Sequence, residues 1–253
     1  MTNNMRFAIT LCLINPTMRA QLYELRNDAW IFALLAFLGI FCLYFFETWA
    51  FSEASIPLVS FLTYAAGGGT IILSALALRE NINTVKLVSF FMILGGVWYL
   101  YFHEGSISGS QLGIILALIG GLGYALFIFS AKLFNIGSGL PHLAWLFGFG
   151  SIYLLIPWGY NDFTAPPQSA IWPIVALIII PTIGGFWLTT KAVQNGSASG
   201  VQVIETSDPL FASLMAFLLF GDILSGAGFI GAALIIVGLL LSICKPFHRK
   251  IIS

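Results

Sequence analysis

Apolar runs long enough to cross a bilayer recur along almost the whole chain, at about 30 to 51, 54 to 78, 84 to 102, 111 to 131, 143 to 160, 170 to 190, 199 to 220 and 224 to 244. Each is closed by polar or Gly/Pro/Asn-rich residues. A crossing consumes about 20 apolar residues, so 253 residues leave almost nothing for a domain outside the membrane. In hydrocarbon every backbone N–H and C=O must be satisfied within the chain, which permits only helices or a closed barrel. Barrel strands alternate apolar and polar over short segments, whereas these runs are continuous. The expected fold class is an all-α integral membrane protein.

Composition points the same way. Charged residues make up 8% of the chain and hydrophobic ones 59%, against about 25% charged in soluble domains. Ten Lys+Arg balance ten Asp+Glu, so there is no basic footprint for nucleic acid and the expected partner is the lipid bilayer. Cys12, Cys42 and Cys244 are odd in number and widely spaced, and His103, His142 and His248 sit at helix ends or connections. Neither set has the spacing of a disulfide framework or a metal site, and no cofactor motif is present.

Met5 to Pro16 is too short for a complete span. It reads either as a span clipped near its start or as a signal peptide, for which Arg6 would be the charged region but no A-x-A site follows. An internal repeat favours the first reading. Sliding the chain by 142 residues aligns its halves without a gap, bringing Trp30 onto Trp172, Ser55 onto Ser197, Val59 onto Val201, Gly96 onto Gly238 and Glu80 onto Asp222. Identities are few, so the common phase of runs and breaks carries the argument. The halves are residues 1–104, with four helices, and 105–253, with five. The counterpart of the run at 111 to 131 falls before Met1, so about nine helices are expected, the first one short and the first repeat lacking its opening helix.

Basic residues prefer cytoplasmic connections. With the C-terminus inside, Arg19, Arg26, Arg79, Lys86, Lys132, Lys245, Arg249 and Lys250 all fall inside and only Arg6 outside. Because five is odd, two five-helix units in the same internal order lie upside-down relative to each other, an inverted-topology repeat.

Ionisable groups at membrane depth cost roughly 2.5–3.5 kcal/mol each on insertion scales, so they mark candidate sites. Glu205 and Asp208, spaced i, i+3 in the middle of a run, are expected on one helix face turned into the bundle, with Pro209 bending or breaking the helix there. They serve either as a substrate or proton site or, each in an internal ion pair or hydrogen bond, as a structural lock between neighbouring helices. Lys191 either snorkels to the inner interface or reaches Glu205 across the hairpin 194–199. Glu47 stands between a cavity and the outer interface. Among Tyr44, Trp49, Tyr64, Tyr124, Trp145 and Trp187, packing competes with cavity lining, and Tyr64, Tyr124 and Trp187 join the expected site. The glycines 67–69, 120, 121 and 123 first mean close helix approach.

These features together resemble the EamA-type family of the drug/metabolite transporter superfamily. The marks are Arg6-Phe7 opening the short run, the acid after each fourth helix (Glu80, Asp222), the following glycines Gly96 and Gly238, and the run from Ser197 through Ile204-Glu205-Thr206-Ser207-Asp208-Pro209 to Ala212. Tyr64 to Gly69 departs from it, since the family's fourth helix often carries a proline there. The resemblance implies ten helices in two units and a multi-pass transporter of small metabolites, amino-acid-like or amphiphilic, in a bacterial inner membrane. Inverted repeats, an interrupted helix and central acids suit a secondary active transporter, expected as an exporter, by alternating access with protons as a possible second partner; the oligomeric state is left open, with a homodimer as one option. An enzyme is not expected, because the histidines lie away from membrane depth. The alternative is a non-transporting, N-terminally truncated fragment or accessory subunit.

Overall fold

The structure, a computed structural model, describes residues 16–104, 108–160, 167–221 and 225–243. Among them the secondary structure is helical apart from one isolated antiparallel bridge, Ala54 with Gly109. In chain order the helices are α1 (Pro16–Glu24), α2 (29–53), α3 (Ile56–Ala66), α4 (Gly68–Leu76), α5 (Thr84–Glu104), α6 (Gln111–Leu133), α7 (Leu140–Tyr160), α8 (Ile171–Asn195), α9 (Ala198–Glu205), α10 (Asp208–Phe220) and α11 (Gly226–Ile243). The short run before Pro16 lies outside the described residues, as do Asp222 and the basic residues of the C-terminus.

One expectation is corrected. Residues 16–28, read as a connection, are helical: Pro16 opens α1, and a 3₁₀ turn, Leu25–Asp28, joins it towards α2. Proline in a first helical turn gives up no hydrogen bond. The run at 199 to 220 is broken before Pro209, as expected, into two helices, α9 and α10, parted by Thr206 and Ser207. Thr206 N–H still donates to Gln202 O at 3.1 Å, but Ser207 N–H turns to Ile204 O at 3.0 Å, a tighter i→i−3 bond. Pro209, with no N–H, prevents the ladder from resuming in register.

The 142-residue offset is written into the helices themselves. α2 and α8 span 29–53 and 171–195, α3 and α9 begin at Ile56 and Ala198, and α5 and α11 begin at Thr84 and Gly226. In each case the second is 142 residues on. α2 and α8 also share an irregularity, wide π-helical turns at Phe37–Phe46 and Ile178–Gly184. Pro181 explains the second, since it offers no N–H to the Leu177 carbonyl, and Thr182 Oγ1 donates there at 2.9 Å instead.

Contact between α5 and α11 fixes how the repeats are related. A methyl on Gly96 would lie 2.8 Å from Gly231 O and 2.9 Å from Ile235 Cγ1; one on Gly238 would lie 3.1 Å from Ser89 O and 2.7 Å from Ile93 Cγ1. Adding 142 to 96, 93 and 89 gives 238, 235 and 231, so each contact has its repeat mate on the other side. Low numbers of one helix meet high numbers of the other, so the mates run antiparallel. The two units are therefore inverted about a pseudo-two-fold axis passing between α5 and α11.

The buried side chains fall into separate clusters, one of which straddles this axis. Phe32, Leu35 and Ile40 of α2 meet Phe127 and Ile128 of α6, Leu143 to Phe147 of α7, and Phe186 and Val193 of α8. Ile71, Phe90, Ile93 and Val97 of α4 and α5 meet Val203 of α9 and Ile235 of α11. α9 contributes to both clusters, and a cavity lies at its far end.

Candidate functional site

A cavity of about 390 Å³ lies where α2, α3, α6, α8 and the break between α9 and α10 converge. That is within the range of small-molecule sites, roughly 300–1,000 Å³. Its wall brings together five of the seven expected site residues, namely Glu47, Tyr64, Tyr124, Glu205 and Asp208. Glu205 ends α9 and Asp208 begins α10. The two acids therefore do not share an unbroken helical face; the break presents both to one space.

Glu205 is the best-supported acid. Its Oε1 accepts from Thr189 Oγ1 at 2.7 Å and from Tyr124 Oη at 3.2 Å, while its Oε2 is buried without a hydrogen-bond partner. A carboxyl held by hydroxyl donors on one oxygen keeps the other for a proton or a ligand N–H. Tyr124 is itself fixed by stacking on Phe127, with centroids 5.7 Å apart. α6 approaches α3 closely enough beside it that a methyl on Gly121 would lie 2.6 Å from Thr63 O. Asp208 and Leu188 are exposed while lining the cavity, so the rim lies between α8 and α10.

The wall repeats with the fold. Glu47 and Thr63 of the first unit are the 142-residue mates of Thr189 and Glu205 of the second, and all four line the cavity. Each unit thus contributes one acid and one threonine, in exchanged positions. Tyr44 and Phe186 are mates in the same wall.

Lys191 and Trp187 do not reach the cavity. They stand on the exposed side of α8, the Lys191 ammonium 5.2 Å from the Trp187 ring centroid. Each is two residues from Thr189, about 200° around the helix, so a face that turns Thr189 inward turns both outward. Trp49 is exposed and packs on Phe45, with centroids 6.0 Å apart. Trp145 is structural: its Nε1 donates to Leu22 O at 3.0 Å, tying α7 to α1.

Three contributors were not singled out from the sequence. Thr189 and Thr63 are short hydroxyls in apolar runs. Gln202 is a buried amide whose Oε1 lies 2.9 Å from Thr70 Oγ1. A methyl on Gly67 would lie 2.2 Å from Gln202 Nε2, so the break between α3 and α4 is where the second unit's amide is seated. The available signal was a polar side chain in an otherwise apolar run. Among the described residues no group of three or more His, Cys, Asp or Glu is placed to hold a metal.

The sequence profile of the EamA-like transporter family matches residues 1–102 and 111–244. The chain belongs to that family. Among its relatives is the "Uncharacterized transporter YwfM" of Bacillus subtilis, 23% identical over 233 residues, covering 90% of this chain and 78% of that protein. An "Uncharacterized transporter" of Archaeoglobus fulgidus is 25% identical over 194 residues, 76% of this chain and 69% of that one. A solved crystal structure shares the fold with a TM-score of 0.80 at 17% identity, covering 96% of this chain and 84% of its own. This EamA-family chain is a multi-pass membrane protein of the transporter class, with a lipid environment and a small-molecule substrate.

Proposed function

We propose that the protein is a secondary active transporter that moves small metabolites, amino-acid-like or amphiphilic, by alternating access between inverted units 1–104 and 105–253. The reading takes the C-terminus as cytoplasmic, the membrane as a bacterial inner membrane and the direction as export. One observation carries it: an acid-lined cavity sits at a helix break on the seam between the two inverted repeats, the arrangement alternating access uses. The cavity wall includes Glu47, Glu205 and Asp208 but no Lys, Arg or His among its described residues. That balance favours a substrate amino group, a proton, or both in turn, with Glu205 as the central site and Asp208, Glu47, Tyr64 and Tyr124 around it.

The test is Glu205→Gln in proteoliposomes, which keeps side-chain size and fixes the neutral state. If Glu205 couples proton movement, the variant still exchanges substrate across the membrane but loses accumulation driven by a pH gradient. If it contacts a cationic substrate, exchange and accumulation fall together. Accumulation at the wild-type rate and affinity would remove Glu205 from the transport site.

A further inference from the structure

We propose that Glu80 is the latch of a gate at the basic end of the bundle, holding the first turn of α9 while that end is shut and releasing it when the cavity opens there. Glu80 follows α4 in the first unit, whereas α9 belongs to the second. Its Oε1 accepts from Ala198 N–H at 2.8 Å and its Oε2 from Ser199 N–H at 3.2 Å, and the Ser199 hydroxyl donates to the same Oε2. Lys86 Nζ lies 3.0 Å from Ser199 Oγ and 3.3 Å from Ser197 Oγ, and Ser197 Oγ accepts from Gly200 N–H at 3.1 Å. The first three free N–H groups of α9 are thus taken up, two of them by a carboxylate placed at the positive end of the helix dipole.

The preceding end of α8 is held in the same manner. Lys132 Nζ of α6 donates to Val193 O at 3.1 Å and Gln194 O at 3.3 Å, and Ser138 Oγ donates to Gln194 Oε1 at 2.8 Å. Every one of these contacts uses a side chain, and most use a charged one, so they can be made and unmade without rebuilding any backbone ladder.

α9 is suited to carry the signal. It is eight residues long, preceded by extended backbone at Gly196 and Ser197 and ended by the turn at Thr206 and Ser207, where the regular hydrogen-bond ladder is interrupted. Its first turn is the latched end and its last residue is Glu205 in the cavity. The two are about 10 Å apart along one rigid rod at 1.5 Å per residue. Whatever occupies Glu205 therefore acts on the latch through a single element. Gln202, buried against Gly67 and Thr70, gives that rod a fulcrum on the first unit.

This role rests on the alternating-access reading, but thiol accessibility tests it without any transported compound. Ser74 is fully buried beside the latch, its carbonyl accepting the Glu80 N–H at 3.1 Å. Ser74→Cys, in a chain whose Cys12, Cys42 and Cys244 are replaced by alanine, is reacted with a membrane-impermeant maleimide in sealed vesicles of each orientation. Adding Glu80→Ala is expected to speed labelling from the basic face alone by on the order of tenfold, the effect of about 1.4 kcal/mol on an equilibrium. Ser199→Ala, which leaves both backbone bonds in place, should act in the same direction and more weakly. It also carries the test by itself should Glu80→Ala not fold. A control cysteine at Ala36, buried where α2 meets α7, should not change. Unchanged labelling at Ser74→Cys, labelling from the opposite face, or an equal rise at Ala36→Cys would overturn the latch. A chain with Glu80 intact that transports nothing, with the labelling shift still seen on Glu80→Ala, would instead count against the transport reading alone.

Discussion

The two halves of the cavity wall have the same backbone and different chemistry. At corresponding positions the first unit carries Glu47 and Thr63, and the second carries Thr189 and Glu205. The first unit's acid lies on α2, a helix that continues to Glu53, and the second unit's acid ends the short helix α9. Asp208 has Ala66 as its mate, so the second broken helix carries two acids and the first carries none. The hairpins differ in the same sense. Residues 53–55 are tied to 108–110 largely through backbone, Ser55 N–H to Ser108 O at 2.8 Å and Ser110 N–H to Glu53 O at 3.0 Å, while residues 193–199 are held by side chains. A two-fold fold sets where a site can form, and the departures from two-fold chemistry show which unit carries charge and which provides a fixed frame.

The symmetric part of this comparison can be broken first. Gly96→Val and Gly238→Val each push a side chain into facing backbone, at Gly231 O and Ser89 O respectively. Each should cost about 2–3 kcal/mol of stability, typical of overpacking a tight interface. Thermal unfolding and the yield of monodisperse protein in detergent would measure it. Similar losses for the two variants support the pseudo-two-fold contact; tolerance of one with collapse of the other would break it.

Most of the fold was legible in the sequence, because hydrocarbon demands long apolar runs and internally satisfied helices, and both demands leave plain marks. The eight runs, the 142-residue phase and the helix stop before Pro209 all have counterparts among the described residues. The acids were legible for the same reason, since a charge in an apolar run has few structural excuses. Side-chain direction was less so. Lys191 and Trp187 sit within two residues of Thr189, and only the rotation of α8, set by packing of Phe186 and Val193 against α6 and α7, decides which of them faces the cavity. The π-helical turn at Phe37–Phe46 had no sequence signal either, for that stretch contains no proline. Glu80 was visible as a repeated acid, but its partners lie more than a hundred residues away and belong to the other unit.

The exchanged acid–threonine pairs yield the next test. Thr189→Val removes the 2.7 Å donor to Glu205 while preserving shape. Hydrogen bonds to charged groups contribute about 1.5–3 kcal/mol, so substrate exchange should fall on the order of tenfold, with the fold retained by thermal unfolding. Thr63→Val alters the mate in the first unit, whose buried Oγ1 faces the Glu47 carboxyl without a close hydrogen bond. It should leave exchange within about twofold, since only a weak contact with Glu47 is lost there. Equal losses from both valines would mean that the two units share the chemistry evenly and that the asymmetry at Glu205 is incidental.

The smallest effect separates the hairpins. Ser110 and Ser197 are both N-caps, accepting from Gly113 N–H at 3.0 Å and Gly200 N–H at 3.1 Å. Removing such a cap costs about 1 kcal/mol, so Ser110→Ala and Ser197→Ala should each lower Tm by a few degrees, about 2–4 °C per kcal/mol in a chain of this size. Their other contacts differ. Ser110 Oγ donates to the half-buried Glu53 carboxylate at 3.0 Å within the backbone-paired hairpin, whereas Ser197 Oγ also receives Lys86 at the latch. Equal losses in Tm should therefore accompany unequal changes in gating. Ser197→Ala should raise labelling of the Ser74→Cys reporter a few-fold from the basic face, and Ser110→Ala should leave it alone. A rise with Ser110→Ala would show that loosening either hairpin opens the same path, and the contrast between a fixed frame and a charged latch would then fail.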